Sequence, residues 1–221
     1  MNLEQAMRQR HSVRSYKQTP MKKDTIEQLL KIIDECNKES GLHIQLITDE
    51  PKAFHSRMAH YGKFSDVHNY IALIGKKSKD LEEKCGYYGE KIVLEAQRMG
   101  LNTCWVGLTF KKIKEVLRID DTEKLVMVIA IGYGTETGHA HKSKGMKDVS
   151  NVSDDSPEWF IKGAEAALLA PTAMNQQKFM LTQKGNTVHA KAGFGPFSKV
   201  DLGIVKYHFE IGAGKENFSW V

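Results

Sequence analysis

The chain has 221 residues, 41% of them hydrophobic and 27% charged, with a formal net charge of +5. No apolar run approaches the roughly 18–20 residues of a membrane span. Met1–Arg14 lacks the apolar stretch and small-residue site of a secretory signal, so a cytoplasmic protein with no membrane partner is expected. Cys36, Cys85 and Cys104 are widely spaced and form no CxxC. That argues against a zinc site or a disulfide framework and for buried thiols. The lysines are scattered rather than gathered, which reads as a generic basic surface and not a nucleic-acid groove.

In chain order, Asp24–Glu39 reads as an amphipathic helix, with Ile26, Leu29, Leu30 and Ile33 at helical spacing and Gly41 as its stop. His43–Thr48 alternates as a strand. Pro51 opens a short helix ending near Gly62, and Asn69–Ile74 reads as a buried strand. Leu81–Met99 is the longest helical pattern, ended by Gly100. Phe110–Leu117 is expected as a short helix. Leu125–Ile131 is a continuous apolar run, as in a strand covered on both faces.

Residues 135–155 are polar and read as a crossover or linker. Ser156-Pro157 suits a helix start, Ser at the N-cap and Pro at the first position, with the helix running to Leu169. Phe179–Gln183 and Thr187–Ala192 read as a hairpin, Asp201–Ile211 as a helix and Phe218–Val221 as an edge strand. The mixture makes the class α+β with a mixed or antiparallel sheet surrounded by helices. A helix–breaker–strand layout over 25–48 returns over 157–182, a weak internal repeat.

Four segments carry possible chemistry. In Arg10-His11-Ser12-Val13-Arg14, an extended backbone turns positions 10, 12 and 14 the same way. Two planar guanidiniums and a hydroxyl suit a phosphate; a solvated basic stretch is the other reading. In Ala170–Gln177, small residues allow close approach to a flat ligand, and Asn175 and Gln177 can read a polar edge; an ordinary helix-ending loop is the other reading. Gly100–Gly107 offers main-chain N–H groups near Val106 and Gly107, or a helix cap and a buried strand. Lys142 and Lys144 could close a phosphate site or simply be solvated.

Taken in order along one chain, these segments resemble the nitroreductase family of FMN enzymes. The N-terminal R-H-S-x-R followed by Tyr16 resembles that family's phosphate-binding start. Gly100–Gly107 resembles its GLGTCWVG-like stretch, Ile131-Gly132-Tyr133 its strand-ending turn, and Ala170–Gln177 its APSAxNxQ flavin loop. The flavin loop commonly follows the first long helix; here Cys36–Gly41 holds that place and the loop appears near residue 171. That arrangement resembles a single-chain, Thermotoga-type subgroup in which one chain carries two unequal, dimer-like halves: about 1–134, a linker of about 135–155, and about 156–221.

The resemblance implies FMN as cofactor and NAD(P)H as electron donor in a ping-pong reduction of a nitro compound, quinone or other small acceptor. It implies that Arg10, Ser12 and one of Lys142 and Lys144 bind the phosphate, with Arg14 there or at the ring's N1–O2 edge and His11 among the cofactor-binding residues. Thr172, Ala173 and Asn175 would pack against or bond to the flavin ring, with Pro171 and Gln177 also cofactor-binding, and a main-chain N–H near Val106 or Gly107 at its N5–O4 edge. Thr172 keeps the hydroxyl of the usual serine, and Lys178 replaces the common proline. No side chain is required as acid, base or nucleophile, and no metal is implied. A flavin carrier or sensor without turnover is the rival reading, and the chain could be a monomer or a homodimer.

Overall fold

Alternating and continuous apolar runs become strands, and the 3.6-period segments become helices. The computed structural model describes residues 1–55 and 57–221, without the Met58 side chain. In chain order the elements are α1 (Leu3–Gln9), α2 (Lys23–Ser40), β1 (Gln45–Ile47), α3 (Arg57–Tyr61), β2 (Tyr70–Lys76), α4 (Leu81–Arg98), β3 (Asn102–Val106) and β4 (Glu123–Gly132). They continue with α5 (Met146–Val149), α6 (Glu158–Ala167), β5 (Phe179–Lys184), β6 (Thr187–Ala192), α7 (Ser198–Ala213) and β7 (Ser219–Trp220). Two compact units result. The four-stranded unit comprises Gln9–Leu81 and Ile92–Ala140; the three-stranded unit comprises Met1–Arg8, Glu82–Lys91 and His141–Val221.

The four-stranded sheet has the order β1-β2-β4-β3, every pair antiparallel. The apolar run expected to be central is so: β4 lies between β2 and β3. Side chains two apart share a face. Tyr70, Ala72 and Ile74 of β2, Cys104 and Val106 of β3, and Val128 and Ala130 of β4 enter one core cluster with Val13, Tyr16, Phe54 and Phe64. Ile71, Leu73, Ile129 and Ile131 point the other way and are equally buried. Covering both faces is what lets this strand be apolar without alternation.

The three-stranded sheet has the order β5-β6-β7; β5 and β6 form the expected hairpin through Gly185 at φ 58°, and β7 joins β6 in parallel. Its core is aromatic: Phe209 packs on Phe160, Phe218 and Trp220, and Trp159 stacks on Phe218. Glycines bring the helix backbones together. A Cβ on Gly203 of α7 would collide with the Glu83 carbonyl and the Tyr87 nitrogen, and one on Gly86 with the Val200 carbonyl. Gly→Ala within a helix ordinarily gains about 1 kcal/mol. For Gly203→Ala the sign should reverse, because backbone cannot yield as a flexible side chain can; a loss of about 1–3 kcal/mol is expected in denaturant unfolding.

Three local expectations change. Residues 110–117 are irregular, with one turn at 114–116 and no helix: Ile113 and Leu117 are four apart and both buried, but eight residues repay the cost of helix nucleation poorly. The helix expected over 51–62 is confined to Arg57–Tyr61, with Ser56 outside the described residues. At α6 the N-cap position falls on Pro157, and the Ser156 hydroxyl instead accepts the Ser153 N–H at 2.9 Å. The repeated layout appears as α2 leading to β1 and α6 leading to β5, each strand at the edge of its sheet. Among the described residues no helix is long and apolar enough to cross a membrane, and no group of metal-ligating side chains forms.

Candidate functional site

The first group of candidate residues lies in the four-stranded unit. Segment 10–16 is extended because it lies along the outer edge of β3. Val13 N–H donates to the Thr103 carbonyl at 3.0 Å, and Ser12 pairs with Thr103. Ser65 N–H then donates to the Arg14 carbonyl, and Tyr16 pairs with Gly134. Val13 and Tyr16 are the buried anchors; the Tyr16 hydroxyl donates to the Val13 carbonyl at 2.8 Å, and burial holds its pKa well above the ordinary phenol value. Gly138, at φ 72°, sits so close that a Cβ would press on the His11 Cβ and the Ser12 carbonyl.

The pinned segment runs beside Cys104, because Ser12 pairs with the neighbouring Thr103. The Ser12 hydroxyl hydrogen-bonds Cys104, and the guanidiniums of Arg14 and Arg10 both act on the same thiol. Burial raises the Cys104 pKa, while Arg14, Ser12 and Arg10 each pull it down; the thiol is 1% exposed. An enclosed, protonated thiol is a poor nucleophile. All three cysteines are free and buried, as expected. Arg10 is 3% exposed, whereas Arg14 is exposed, with its guanidinium 6.0 Å from the Phe64 ring centre. Two forked cations and a hydroxyl are the donor set that a phosphate dianion requires. Beyond them, the β3 ladder ends at Val106, so Gly107 is the first residue past the paired strand.

The second group lies in the three-stranded unit, where residues 141–144 are laced to the loop that follows α6. His141 and Ser143 face the Leu168 carbonyl. Asn175 Nδ2 and Gln177 Nε2 donate to the Lys142 carbonyl at 2.8 and 2.9 Å. Lys144 donates twice to Gln177, from its main-chain N–H to Oε1 and from Nζ to the carbonyl. Gln177 N–H donates to Thr172 Oγ1. Gln177 is 2% exposed; its amide builds the loop.

The loop backbone is strained. Met174 and Gln177 have φ of 51° and 44°, at roughly 1–2 kcal/mol each, and Asn175 stands at 53°, which asparagine tolerates. Such strain persists where surrounding contacts over-determine it, and it gathers at functional sites. Thus the structure brings Arg10, His11, Ser12, Arg14, Val106 and Gly107 together in one unit, and Lys142, Lys144, Pro171, Thr172, Ala173, Asn175 and Gln177 in the other.

Over residues 2–213 the sequence matches the family described as "Putative TM nitroreductase". The chain belongs to that nitroreductase family. Its fold is similar to that of a solved nitroreductase of Thermotoga maritima, at 22% identity and a TM-score of 0.65, covering 98% of this chain and 85% of that one. A nitroreductase of Desulfovibrio desulfuricans solved in complex with FMN aligns at 18% identity and a TM-score of 0.55, over 71% of this chain and 99% of that one. A protein of Clostridium acetobutylicum described as an NADH oxidase aligns at 20% identity and 0.52, over 69% and 99%. Among proteins of curated function, none matches.

Sequence reasoning on this nitroreductase missed Asp201, in the first turn of α7. The residue is 4% exposed and accepts from the Ala173 N–H at 3.0 Å and from Gln176 Nε2 at 2.7 Å. Gln176 also donates to the Pro196 carbonyl. An acidic residue in a helix's first turn is ordinary, so nothing in the sequence ties it to a loop 25 residues away. Burial pushes the Asp201 pKa from 3.8 up to about 6, opposed by the bonds from Gln176 and Ala173. The fold therefore holds a proton that the unfolded chain releases. Asp201 favours folding most below about pH 3.8, and that contribution is lost as pH rises through about 6.

Proposed function

We propose that this nitroreductase binds FMN and uses NAD(P)H to reduce a small acceptor, such as a nitro compound or quinone, in ping-pong fashion. The observation carrying this reading is the pinning of the segment Arg10–Arg14 along β3, which fixes two guanidiniums and a hydroxyl within five residues. It supplies the donor chemistry of a phosphate site from residues fixed in place. The FMN-complexed relative from Desulfovibrio desulfuricans and the NADH oxidase relative from Clostridium acetobutylicum support the cofactor and the donor.

In this reading Arg10, His11, Ser12 and Arg14 hold the phosphate. Lys142 is the better candidate of the two lysines, because Lys144 Nζ is engaged with the Gln177 carbonyl while Lys142 contributes only its carbonyl to the loop. Pro171, Thr172 and Ala173 face the ring, Asn175 and Gln177 keep that face in shape, and a main-chain N–H at Val106 or Gly107 meets the ring's polar edge. When bound, FMN supplies the electron transfer between donor and acceptor. The residues bind, orient and shield; none is asked to move a proton, and we assign no catalytic side chain.

The two unequal halves, about 1–134 and 156–221 joined by 135–155, are proposed to stand in for the two subunits of a homodimer, whether the chain itself is a monomer or dimerises. The cytoplasm is the proposed location. The purified protein is expected to be yellow, with a flavin absorption band, and to bleach rapidly on anaerobic addition of NADH or NADPH. Colourless protein that binds no FMN on titration would overturn the cofactor assignment. Colour that persists with both donors would overturn the reductase and favour a flavin carrier.

A further inference from the structure

We infer that Asp201 is a positioning residue for the flavin, which fixes the loop Ala170–Gln177 in its ring-facing shape by binding Ala173 and Gln176 at once; this rests on the FMN reading above. Three observations carry it. First, the loop adopts a backbone that Met174 and Gln177 disfavour, both at positive φ, so something outside must hold it. Second, the side-chain bonds holding it come from two directions. Residues 142 and 144 bond its C-terminal part, Asn175 and Gln177. Asp201, on α7, bonds its beginning, with Oδ1 on the Ala173 N–H and Oδ2 on Gln176.

Third, Asp201 is costly to keep where it is. A carboxylate at 4% exposure loses its water, and what faces it is a main-chain N–H and a neutral amide rather than a cation. Raised burial cost shows in its proton affinity. A residue retained purely for stability would not be expected to oppose folding at neutral pH. One retained to hold a strained loop in a binding conformation would be. Gln176 makes the carboxylate specific. Its Nε2 is shared between Asp201 and the Pro196 carbonyl, and its buried Oε1 has no hydrogen-bond partner among the described residues. An asparagine at 201 can keep an acceptor on Ala173, but its amide then faces the Gln176 amide donor to donor. Relief requires Gln176 to turn Oε1 toward it, at the expense of the bond to Pro196.

The test uses the full chain stripped of flavin, FMN itself as the probe, and two variants, Asp201→Asn and Asp201→Ala. FMN affinity is read by flavin fluorescence at pH 7.5, the ring environment by the visible band of bound flavin, and stability by the thermal midpoint of the flavin-free proteins. Asp201→Ala is expected to weaken FMN binding at least tenfold and Asp201→Asn by a smaller factor, with a shifted band. Flavin-free Asp201→Asn is expected to melt at or above the wild type. If the wild type binds FMN and both variants bind within twofold of it, the inference fails alone. If affinity falls but flavin-free Asp201→Asn melts several degrees lower, the role is merely structural and the inference also fails. If the wild type binds no FMN, the cofactor reading fails and takes this inference with it.

Discussion

Replacing Arg10 and Arg14 together by alanine is expected to weaken FMN binding by roughly 10²- to 10⁴-fold. Each charge-assisted hydrogen bond is worth about 1.5–3 kcal/mol, and each 1.4 kcal/mol is about tenfold in affinity. The two should not contribute alike. Arg10 is 3% exposed, so its bonds form in a weakly screened setting, whereas Arg14 is exposed and partly occupied with Phe64. Arg10→Ala alone should therefore cost more than Arg14→Ala, and raising the salt concentration should mimic the second more than the first. The exposed Arg8→Ala removes the same charge from outside the segment and should leave affinity near the wild-type value. Fluorescence titration of the flavin-free protein decides this. Unchanged affinity in the double variant would remove Arg10 and Arg14 from the phosphate site.

The second large effect concerns stability. His208 of α7 and Glu90 of α4 are both fully buried; Nε2 lies 2.9 Å from Glu90 Oε1, and Nδ1 lies 3.2 Å from the Ala166 carbonyl. Removing the His208 ring empties fully buried volume and takes one hydrogen-bond partner from the enclosed Glu90 carboxyl, at about 3–5 kcal/mol together. His208→Ala should then lower the thermal midpoint by roughly 6–20 °C, at about 2–4 °C per kcal/mol for a chain of this size. Replacing both residues by leucine should be milder, since no ionisable group is then left enclosed. A His208→Ala midpoint within 2 °C of the wild type would show that the pair contributes nothing to the fold.

The elements that were legible in the sequence are those whose pattern has one physical meaning. The run from Leu125 to Ile131 can be apolar throughout only if both faces are covered, and β4 is the inner strand. Gly185 marks its hairpin because a left-handed turn suits glycine. Residues 110–117 carry a misleading helix signal because Ile113 and Leu117 meet the spacing of a helix while being buried from irregular backbone on either side of one turn. The extended course of segment 10–14 is legible because its residues are neighbours in sequence and pair with β3 through Ser12 and Val13. Asp201 was not, because its meaning depends on Ala173 and Gln176, which are brought to it only by folding. The same holds for Gln177: its spacing suggests a ligand contact, and only the structure shows the amide turned inward to the Lys142 carbonyl.

One consequence of α7 concerns time rather than energy. It carries three enclosed acidic or imidazole groups, and the partners of two of them are distant along the chain: His208 meets Glu90 across 118 residues, and Glu210 meets Tyr87 across 123. Closing such long loops carries an entropy cost that must be met before these bonds can form. Until then His208 and Glu210 lack these distant partners and their side chains stay hydrated. It should be among the last elements to settle and, during refolding, the last to gain protection from amide hydrogen exchange. The residue proposed to shape the flavin loop sits on this late helix, so a binding-competent loop would emerge only when folding is nearly finished.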